Sequence, residues 1–182
     1  MKVSREQVAE QRGHILEVAG RLFRERGFDD VTVAEVMKEA GLTHGAFYGY
    51  FRSKDALVAE AVGEALTSGN AVPGKSIVVF ADGYLSVKHR DERAESCCFS
   101  SLGTEAARGS AELRHSMTGS VRRLIDRMSR EAEGDTQQEK RRAAIAAWSA
   151  MVGAMVLARV VDDERLSKEI LAETRASLPL DS

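Results

Sequence analysis

The sequence predicts an all-α fold, and three features of its 182 residues lead to that prediction. Apolar residues recur at steps of three, four and seven along almost the whole chain, which is the period of amphipathic helices. Aromatic residues make up only 5% and prolines number 2, a composition that favours helices over a β-sandwich. Capping boxes, in which Ser or Thr precedes Glu or Gln by three residues, mark expected helix starts at Ser4, Thr32 and Thr136.

Composition and charge exclude several classes of protein. Hydrophobic residues make up 43% and charged residues 30%, which is typical of a folded globular chain. The net charge of -2 excludes a uniformly basic nucleic-acid coat but is compatible with a local basic patch. The longest apolar stretch, 143–158, is shorter than the roughly 20 residues needed to cross a bilayer. Because the amino terminus also lacks an apolar signal-peptide core, we expect a soluble cytoplasmic protein without a membrane partner.

The first helix is expected to begin at the Ser4 capping box and to end at Gly27, which follows Arg26 as a helix stop. Phe28, just beyond that stop, is expected to fold back onto the core. The apolar face of this helix contains residues at helical spacing, namely Val8, Ile15, Ala19, Leu22 and Phe23.

Two further short helices, 33–40 and 44–50, form a helix-turn-helix pattern. Thr32 is expected to cap the first helix and Thr43 the second, while Gly41 supplies a turn residue that tolerates positive φ. Small and apolar side chains are expected to pack the two helices together, namely Ala34, Val36, Met37, Ala40, Leu42 and Phe47.

Ser53 is expected to cap a linking helix over 54–67, and the strongest break in the chain follows at 68–76. This pattern predicts an amino-terminal three-helix domain at 1–53 and a larger helical domain at 54–182. The helical segments predicted beyond the break are 75–89, 95–108, 111–133, 137–161 and 165–178.

The exposed start of the second helix of the helix-turn-helix is a candidate for entering the major groove of DNA. His44, Gly45 and Ala46 lie there, and the small residues let the backbone approach the bases while the histidine can hydrogen-bond a base edge. Residues 1–56 carry equal numbers of basic and acidic side chains, so the attraction to DNA must be local. Hydroxyl and ammonium groups around this point are expected to contact phosphates, namely Thr32, Tyr48, Tyr50 and Lys54.

Four stretches resemble the TetR family of bacterial repressors, namely FRERGF at 23–28, TV at 32–33, AGLT at 40–43 and GAFYGYFRSK at 45–54. The resemblance implies an all-helical homodimer, each subunit with an amino-terminal DNA-binding domain and a larger ligand-binding and dimerisation domain. It also implies that ligand binding spreads the two DNA-binding heads and releases double-stranded operator DNA. By position, the residues named above match the family's base-reading and phosphate-contacting residues, although Tyr50 stands where the family often has His.

The region around the two adjacent cysteines resembles one subgroup of this family. That subgroup often carries Gly-Cys-Pro ahead of a Leu and a Glu, and here Ser96, Cys97 and Cys98 take its place before Leu102 and Glu105. Some of its members sense electrophiles or oxidants through the cysteine, so Cys97 is a candidate sensor near a predicted helix start. The alternative is that both cysteines are small buried core residues. The region has no known metal-ligand spacing, so no metal site is expected.

A ligand cavity is expected among the middle helices, lined by Met and aromatic side chains that also suit plain core packing. Its low polarity suits an apolar or electrophilic small-molecule effector, with Tyr84 and His89 as polar anchors. The candidate lining residues are Phe80, Tyr84, His89, Cys97, Phe99, Leu102, Met117, Trp148, Met151 and Met155.

Residues 143–161 are apolar nearly all round, and a partner subunit is the simplest cover for such a helix in a small domain. We therefore expect a symmetric dimer interface with two helices from each subunit. A central core helix within one subunit is the alternative. The expected interface residues are small or apolar, namely Ala147, Ala150, Gly153, Ala154, Ala158, Leu166, Ile170 and Leu171.

The sequence thus predicts a TetR-type transcriptional repressor that binds a palindromic operator as a dimer and is released by a small molecule or by modification of a thiol. No catalytic residue and no cofactor is expected. A thiol-dependent hydrolase using Cys97 with His89 is one alternative, although no oxyanion loop or third orienting residue accompanies them. A DNA-binding module without an effector is another, and an activator role is also open.

Overall fold

The computed structural model describes residues 4–69 and 76–178, and of residues 68 and 69 it describes the backbone alone. In these ranges the chain forms nine α-helices and two short 3₁₀ helices, which confirms the predicted all-α fold. The α-helices are α1 (Arg5–Arg26), α2 (Val33–Glu39), α3 (Lys54–Gly69), α4 (Ile77–Tyr84), α5 (Val87–Asp91), α6 (Cys98–Ala106), α7 (Ala111–Glu131), α8 (Gln137–Val160) and α9 (Glu164–Ser177). The 3₁₀ helices are His44–Gly49, which we call the tip, and Arg93–Glu95.

Helix α1 has the predicted cap at each end. The Ser4 hydroxyl accepts from the Gln7 amide, and the Gln7 side chain accepts from the Ser4 amide in return. Gly27 ends the helix at a φ of 87°, a left-handed conformation that favours glycine. Phe28 then folds back against Phe23 in an edge-to-face contact with 5.5 Å between ring centroids, as predicted. Val8 departs from the predicted buried face, because it lies in the exposed first part of the helix.

The helix-turn-helix forms as predicted, with two local differences. Helix α2 begins at a complete capping box on Thr32, and Gly41 turns the chain at a φ of 73°. The second element is the 3₁₀ tip, and the Thr43 side chain makes no capping hydrogen bond to it, so that predicted cap is wrong. Ala34, expected in the packing layer, is exposed. Phe47, which the sequence also placed in this layer, is buried in the hydrophobic core and anchors the tip.

The carboxy-terminal helices differ from the prediction where a polar side chain interrupts a helix. The predicted segment 75–89 is two helices, because Ser86 accepts a hydrogen bond from the His89 amide and starts α5. The predicted segment 95–108 likewise divides into the Arg93–Glu95 3₁₀ helix and α6. Helices α7, α8 and α9 occupy the predicted segments to within a few residues. The predicted break at 68–76 lies mostly outside the described residues.

Two hydrophobic clusters hold the helices together. The first joins α1, α2, the tip and α3 to residues of α6 and α7, including Leu102 and Met117. The second joins α4, α7, α8 and α9 around Trp148, Met151 and Met155. Because helices α6 and α7 contribute to both clusters, the amino-terminal helices are packed directly onto the carboxy-terminal ones.

Helix α8 fills the predicted segment 137–161 to within one residue. Its 24 residues are long and apolar enough to cross a membrane by length and composition, although the apolar stretch 143–158 alone is too short. The helix is longer than that stretch because it begins at the Thr136 capping box and first runs through polar residues. The inner face of α8 packs against α7 and α9 in the second hydrophobic cluster, as expected for a core helix of a globular domain.

Candidate nucleic-acid interface and central cavity

The tip presents a small, exposed surface on a buried aromatic base. Phe47 stacks with Phe51 at 5.8 Å between ring centroids and meets Tyr48 edge-to-face at 5.3 Å. His44 and Gly45 are exposed and Ala46 is half-buried. Open space surrounds the position where a Cβ on Gly45 would lie, so no contact within the described chain requires glycine there. The close approach of another molecule, such as the edge of a base pair, would require it.

The four predicted phosphate contacts differ in how free their donors are. Tyr48 is 72% exposed, and Tyr50 is half-buried in the same tip region. Lys54 is the first residue of α3, where the ammonium group and the helix amino terminus both favour an anion. The Thr32 hydroxyl is already engaged, because it donates to Glu35 Oε2 at 2.7 Å and accepts from the Glu35 amide at 3.2 Å. A phosphate contact by this hydroxyl requires it to turn away from Glu35.

Several basic side chains near the tip are neutralised within the chain. Arg52 pairs with Glu112 of α7 at 3.0 Å, and Arg26 pairs with Glu35 at 3.0 Å. The capping-box hydrogen bonds from Thr32, together with Arg26, lower the pKa of Glu35 to about 2. Sequence reasoning did not find these pairs, because the partners lie on different elements, 9 residues apart in one pair and 60 in the other. Attraction to phosphate therefore depends on the few unpaired cations, with Lys54 best placed among them.

A cavity of about 690 Å³, which we call the central cavity, lies between the amino-terminal helices and α4, α5, α6 and α8. Five of the residues proposed for the effector site line it, namely Phe80, Tyr84, His89, Cys97 and Trp148. Phe99 lies behind Trp148 with 5.8 Å between ring centroids. The structure does not bring the other four to the cavity, because Leu102 and Met117 pack in the first hydrophobic cluster and Met151 and Met155 in the second.

Sequence reasoning missed one wall of the central cavity. One face of α1 and one face of α3 contribute to it, with small residues at several positions. The two glycines seven residues apart on α1 were the available signal, since glycine inside a helix weakens it unless space is needed. The residues from these two helices are Gly13, Leu16, Glu17, Gly20, Arg24, Ala61, Glu64, Ala65 and Leu66.

His89 and Tyr84 form a buried polar group at one side of the cavity. His89 Nδ1 donates to the Tyr84 carbonyl at 2.7 Å, and its Nε2 accepts from the Cys97 amide at 3.0 Å. This arrangement requires the neutral imidazole, and burial correspondingly lowers the pKa of His89. The Tyr84 side chain is 6% exposed, and its hydroxyl lies near the side chains of Cys97 and Ser100. No described group has the distance and angle of a hydrogen bond to this hydroxyl, so it is geometrically unsatisfied. Burial raises the pKa of Tyr84, so this hydroxyl remains protonated.

Both cysteines are free thiols in an environment that favours the protonated form. Cys97 is the amino-terminal cap residue of α6, a place where the helix dipole stabilises a thiolate. Burial outweighs that effect and raises the pKa of Cys97, and burial raises the pKa of Cys98 to about 11. Within the described ranges, no three His, Cys, Asp or Glu residues are grouped to hold a metal ion.

The outward face of α8 carries apolar side chains that the fold leaves uncovered. Four of the residues proposed for the dimer interface, Ala147, Ala154, Ala158 and Leu171, are instead buried inside their own subunit. They face inward because α8 packs on α7 and α9 along that side. Ala150 is exposed, and Gly153 and Ile170 are half-buried. Sequence reasoning placed Leu166 of α9 at the interface but none of the other exposed large apolar residues. The exposed large apolar residues on α8 and α9 are Ile145, Val156, Leu157, Val160 and Leu166.

The amino-terminal region is similar to known transcriptional regulators, both by a family model and by a curated relative. Residues 15–61 match the family described as bacterial regulatory proteins, tetR family. YdgC of Bacillus subtilis, an uncharacterized HTH-type transcriptional regulator, is 45% identical over 53 residues, which are 29% of this chain and 27% of YdgC. The chain thus matches about a quarter of the length of that curated relative.

Solved structures resemble the chain over nearly its whole length. A TetR-family transcriptional regulator from Agrobacterium tumefaciens has a TM-score of 0.75 at 18% identity, covering 94% of this chain and 99% of that one. The reduced form of NemR from E. coli has a TM-score of 0.66 at 19% identity, covering 95% and 99% respectively. At such identities the likeness concerns the fold alone.

Proposed function

The chain belongs to the TetR family of bacterial transcriptional regulators, and from this premise we propose that it is a dimeric repressor that a small molecule releases from operator DNA. The family is regulatory and not enzymatic, so Cys97 and His89 receive no catalytic role. The observation that carries the proposal is the exposed tip, held on a buried aromatic base and surrounded by hydrogen-bond donors.

The tip suits the major groove because its exposed residues are small and its orientation is rigid. Phe47 and Phe51 anchor it in the first hydrophobic cluster, so His44 and Gly45 are presented in one arrangement. We assign base contacts to His44, Gly45 and Ala46. Tyr48, Tyr50 and Lys54 are assigned phosphate contacts, and Thr32 contributes only if its hydroxyl leaves Glu35.

The uncovered apolar face of α8 supports a homodimer. Leu157 is 55% exposed and Val160 is 75% exposed, on the same helix as the small residues Ala150 and Gly153. A second copy of this face would remove the apolar side chains from water, and the small residues would permit close helix approach. Two heads in a fixed relation would then read a palindromic operator in two successive major grooves.

The central cavity supports control by a small molecule, because its walls come from both α1 and the carboxy-terminal helices. Two hydrogen bonds join α1 and its end to the segments beside the cavity. Arg24 Nε donates to the Ala94 carbonyl at 2.6 Å, and the Phe28 amide donates to Glu105 Oε2 at 2.6 Å. A ligand that moves the region around Cys97 would therefore shift α1 and, through α2, the tip.

Thiol sensing by Cys97 is the less favoured version of this proposal. A reactive thiol needs a lowered pKa, and burial raises the pKa of Cys97. The likeness to the reduced form of NemR, at 19% identity, supports the fold and not a shared thiol chemistry. We therefore place the signal in the cavity, and a DNA-binding module without an effector remains the competing function. Consistent with its family, we propose that the protein acts in the cytoplasm.

Operator binding is the direct test. An operator is selected from random double-stranded DNA with the full chain, and binding is measured by gel shift across a salt series. We expect Lys54→Ala to weaken binding to operator and random DNA alike by about fivefold and to flatten the salt dependence. We expect His44→Ala to change operator preference more than non-specific affinity. Lys140→Ala on α8 is the same-charge control, and wild-type binding by both tip variants would contradict the assigned surface.

A further inference from the structure

We propose that the ligand of the central cavity is an organic cation with a flat apolar body and an uncharged hydrogen-bonding group that reaches Tyr84. This inference rests on the proposed function in one respect, namely that binding of the ligand regulates DNA binding. The binding site itself is argued from the cavity, its charges and its one unpartnered buried hydroxyl.

Acidic side chains dominate the exposed rim of the central cavity. Glu17, Glu64 and Glu95 line it and are exposed. Among the described residues, Glu64 and Glu95 form no ion pair within 4.0 Å, and Glu17 meets only His14, at 3.9 Å. Arg24 is the single basic counterpart in the lining apart from the neutral His89. The rim therefore carries excess negative charge, which attracts a cation and disfavours a carboxylate or phosphate.

The walls suit a flat apolar body. Phe80 and Trp148 lie with 6.3 Å between ring centroids, and Tyr84 adjoins both rings. Aromatic rings bind apolar surface and also attract cations over their faces. On the amino-terminal helices the lining includes Gly13, where no atom lies within 4 Å of the place that a Cβ would occupy, so this position leaves room for a ring system.

The Tyr84 hydroxyl defines the inner end of the ligand. A buried hydroxyl without a partner is unfavourable, and a ligand atom that accepts or donates a hydrogen bond would satisfy it. The neighbouring imidazole and thiol are uncharged, because His89 is held neutral by its two hydrogen bonds and Cys97 remains a thiol. The Arg159 guanidinium also lies nearby, and its positive charge disfavours a cation at this inner end. The matching ligand group is therefore an ether, carbonyl or hydroxyl, while the positive charge lies toward the acidic rim.

Two probes that differ in charge test the inference. They are the permanent cation 6-methoxy-1-methylquinolinium and its uncharged parent 6-methoxyquinoline at pH 8, which share a flat ring system and an ether oxygen. Affinity for the full chain is measured by calorimetry without DNA, because aromatic cations also bind DNA. Quenching of Trp148, the only tryptophan in the sequence, reports occupancy of the cavity. We expect the cation to bind at least about tenfold more tightly than its parent.

Charge variants locate that preference. We expect the triple variant Glu17→Gln, Glu64→Gln and Glu95→Gln to bind the cation about tenfold more weakly and the uncharged parent within about twofold of wild type. The matched control replaces three exposed carboxylates outside the cavity lining, with Glu133→Gln, Glu169→Gln and Glu173→Gln. Equal binding of the two probes, an unchanged triple variant, an equal loss in the control, or no binding of either probe would each overturn the proposal.

Tyr84→Phe tests the inner end of the site. We expect this variant to bind both probes about fivefold more weakly while its Tm stays equal to that of wild type or rises, because the orphan hydroxyl is removed. A lower Tm with unchanged probe binding would instead make the hydroxyl a structural group. Operator binding is scored separately, so failure to bind DNA contradicts the proposed function while the probe results still decide the ligand class.

Discussion

The helix-turn-helix and the central cavity differ in where the hydrogen-bond partners of their polar groups lie in the chain. Next to the tip, at the start of α2, Thr32 and Glu35 exchange three hydrogen bonds within four residues. Beside the central cavity, the Arg159 guanidinium of α8 donates to the carbonyls of His89 and Arg90, at 2.8 and 3.0 Å, about 70 residues away in the chain. The proposed DNA-binding end is thus built from local signals, whereas the proposed ligand-binding end is built from contacts that exist only after folding. We expect the helix-turn-helix to tolerate single changes better than the cavity does.

Replacing Arg159 should have the largest effect on stability. The same side chain also donates to the hydroxyls of Ser100 and Ser101, at 3.3 and 3.1 Å, and therefore joins α8 to α5 and α6. We expect Arg159→Ala to lower the free energy of unfolding by about 3 kcal/mol, because several half-buried acceptors lose a charged donor. Urea denaturation measures the change. Arg122→Ala, an exposed arginine of α7, is the control, and equal losses in the two variants would contradict this account.

Removing Glu105 should have the next largest effect and should uncouple the two ends. Its carboxylate accepts from the Phe28 amide at 2.6 Å, which fixes the end of α1 to α6. We expect Glu105→Ala to lower the free energy of unfolding by about 1.5 kcal/mol. Operator affinity should change less than the ability of a bound probe to release DNA, as measured by gel shift. Glu169→Ala on α9 serves as control, and unaltered release in Glu105→Ala would show that coupling runs elsewhere.

Loss of the Thr32 cap should have a smaller effect. We expect Thr32→Ala to lower the free energy of unfolding by about 1 kcal/mol, because the first turn of α2 loses its side-chain acceptor. Thr32→Ser keeps that acceptor and should remain close to wild type in the same denaturation experiment. If Thr32→Ala lowered the free energy of unfolding as much as Arg159→Ala does, the helix-turn-helix would not tolerate single changes better than the cavity does.

The smallest expected effect is a pH dependence of stability that arises from His89 beside the central cavity. Burial lowers the pKa of His89 below its ordinary value of 6.5, so the unfolded chain binds a proton more readily than the folded one. The contribution of His89 is therefore fully present above pH 6.5 and is lost as the pH falls through the lowered value. We expect thermal unfolding of His89→Gln to vary less with pH across that window than wild type does. An identical pH profile in both proteins would contradict the neutral histidine.

The parts of the fold that could be predicted depend on short-range chemistry. Ser4 with Gln7, Thr32 with Glu35 and the glycines at helix ends mark boundaries that hold in the structure. The split between α4 and α5 was missed, because Ser86 competes with the apolar period that seemed to continue past it. Of the residues proposed for the cavity, those on α4 and α5 reach it, whereas Met151 and Met155 turn into the core. Periodicity identifies a buried face but not which buried residues border a void.

The all-α fold, the helix-turn-helix and the likeness to the TetR family follow from the amino-acid sequence alone, because caps, turns and helical period act over a few residues. The packing of the helices decided that α1 forms a wall of the cavity, that the Tyr84 hydroxyl has no partner among the described residues and that Arg52 pairs with Glu112. It also decided which side of α8 remains exposed. These properties depend on groups far apart in the chain, and packing of the helices alone brings such groups together or keeps them from water.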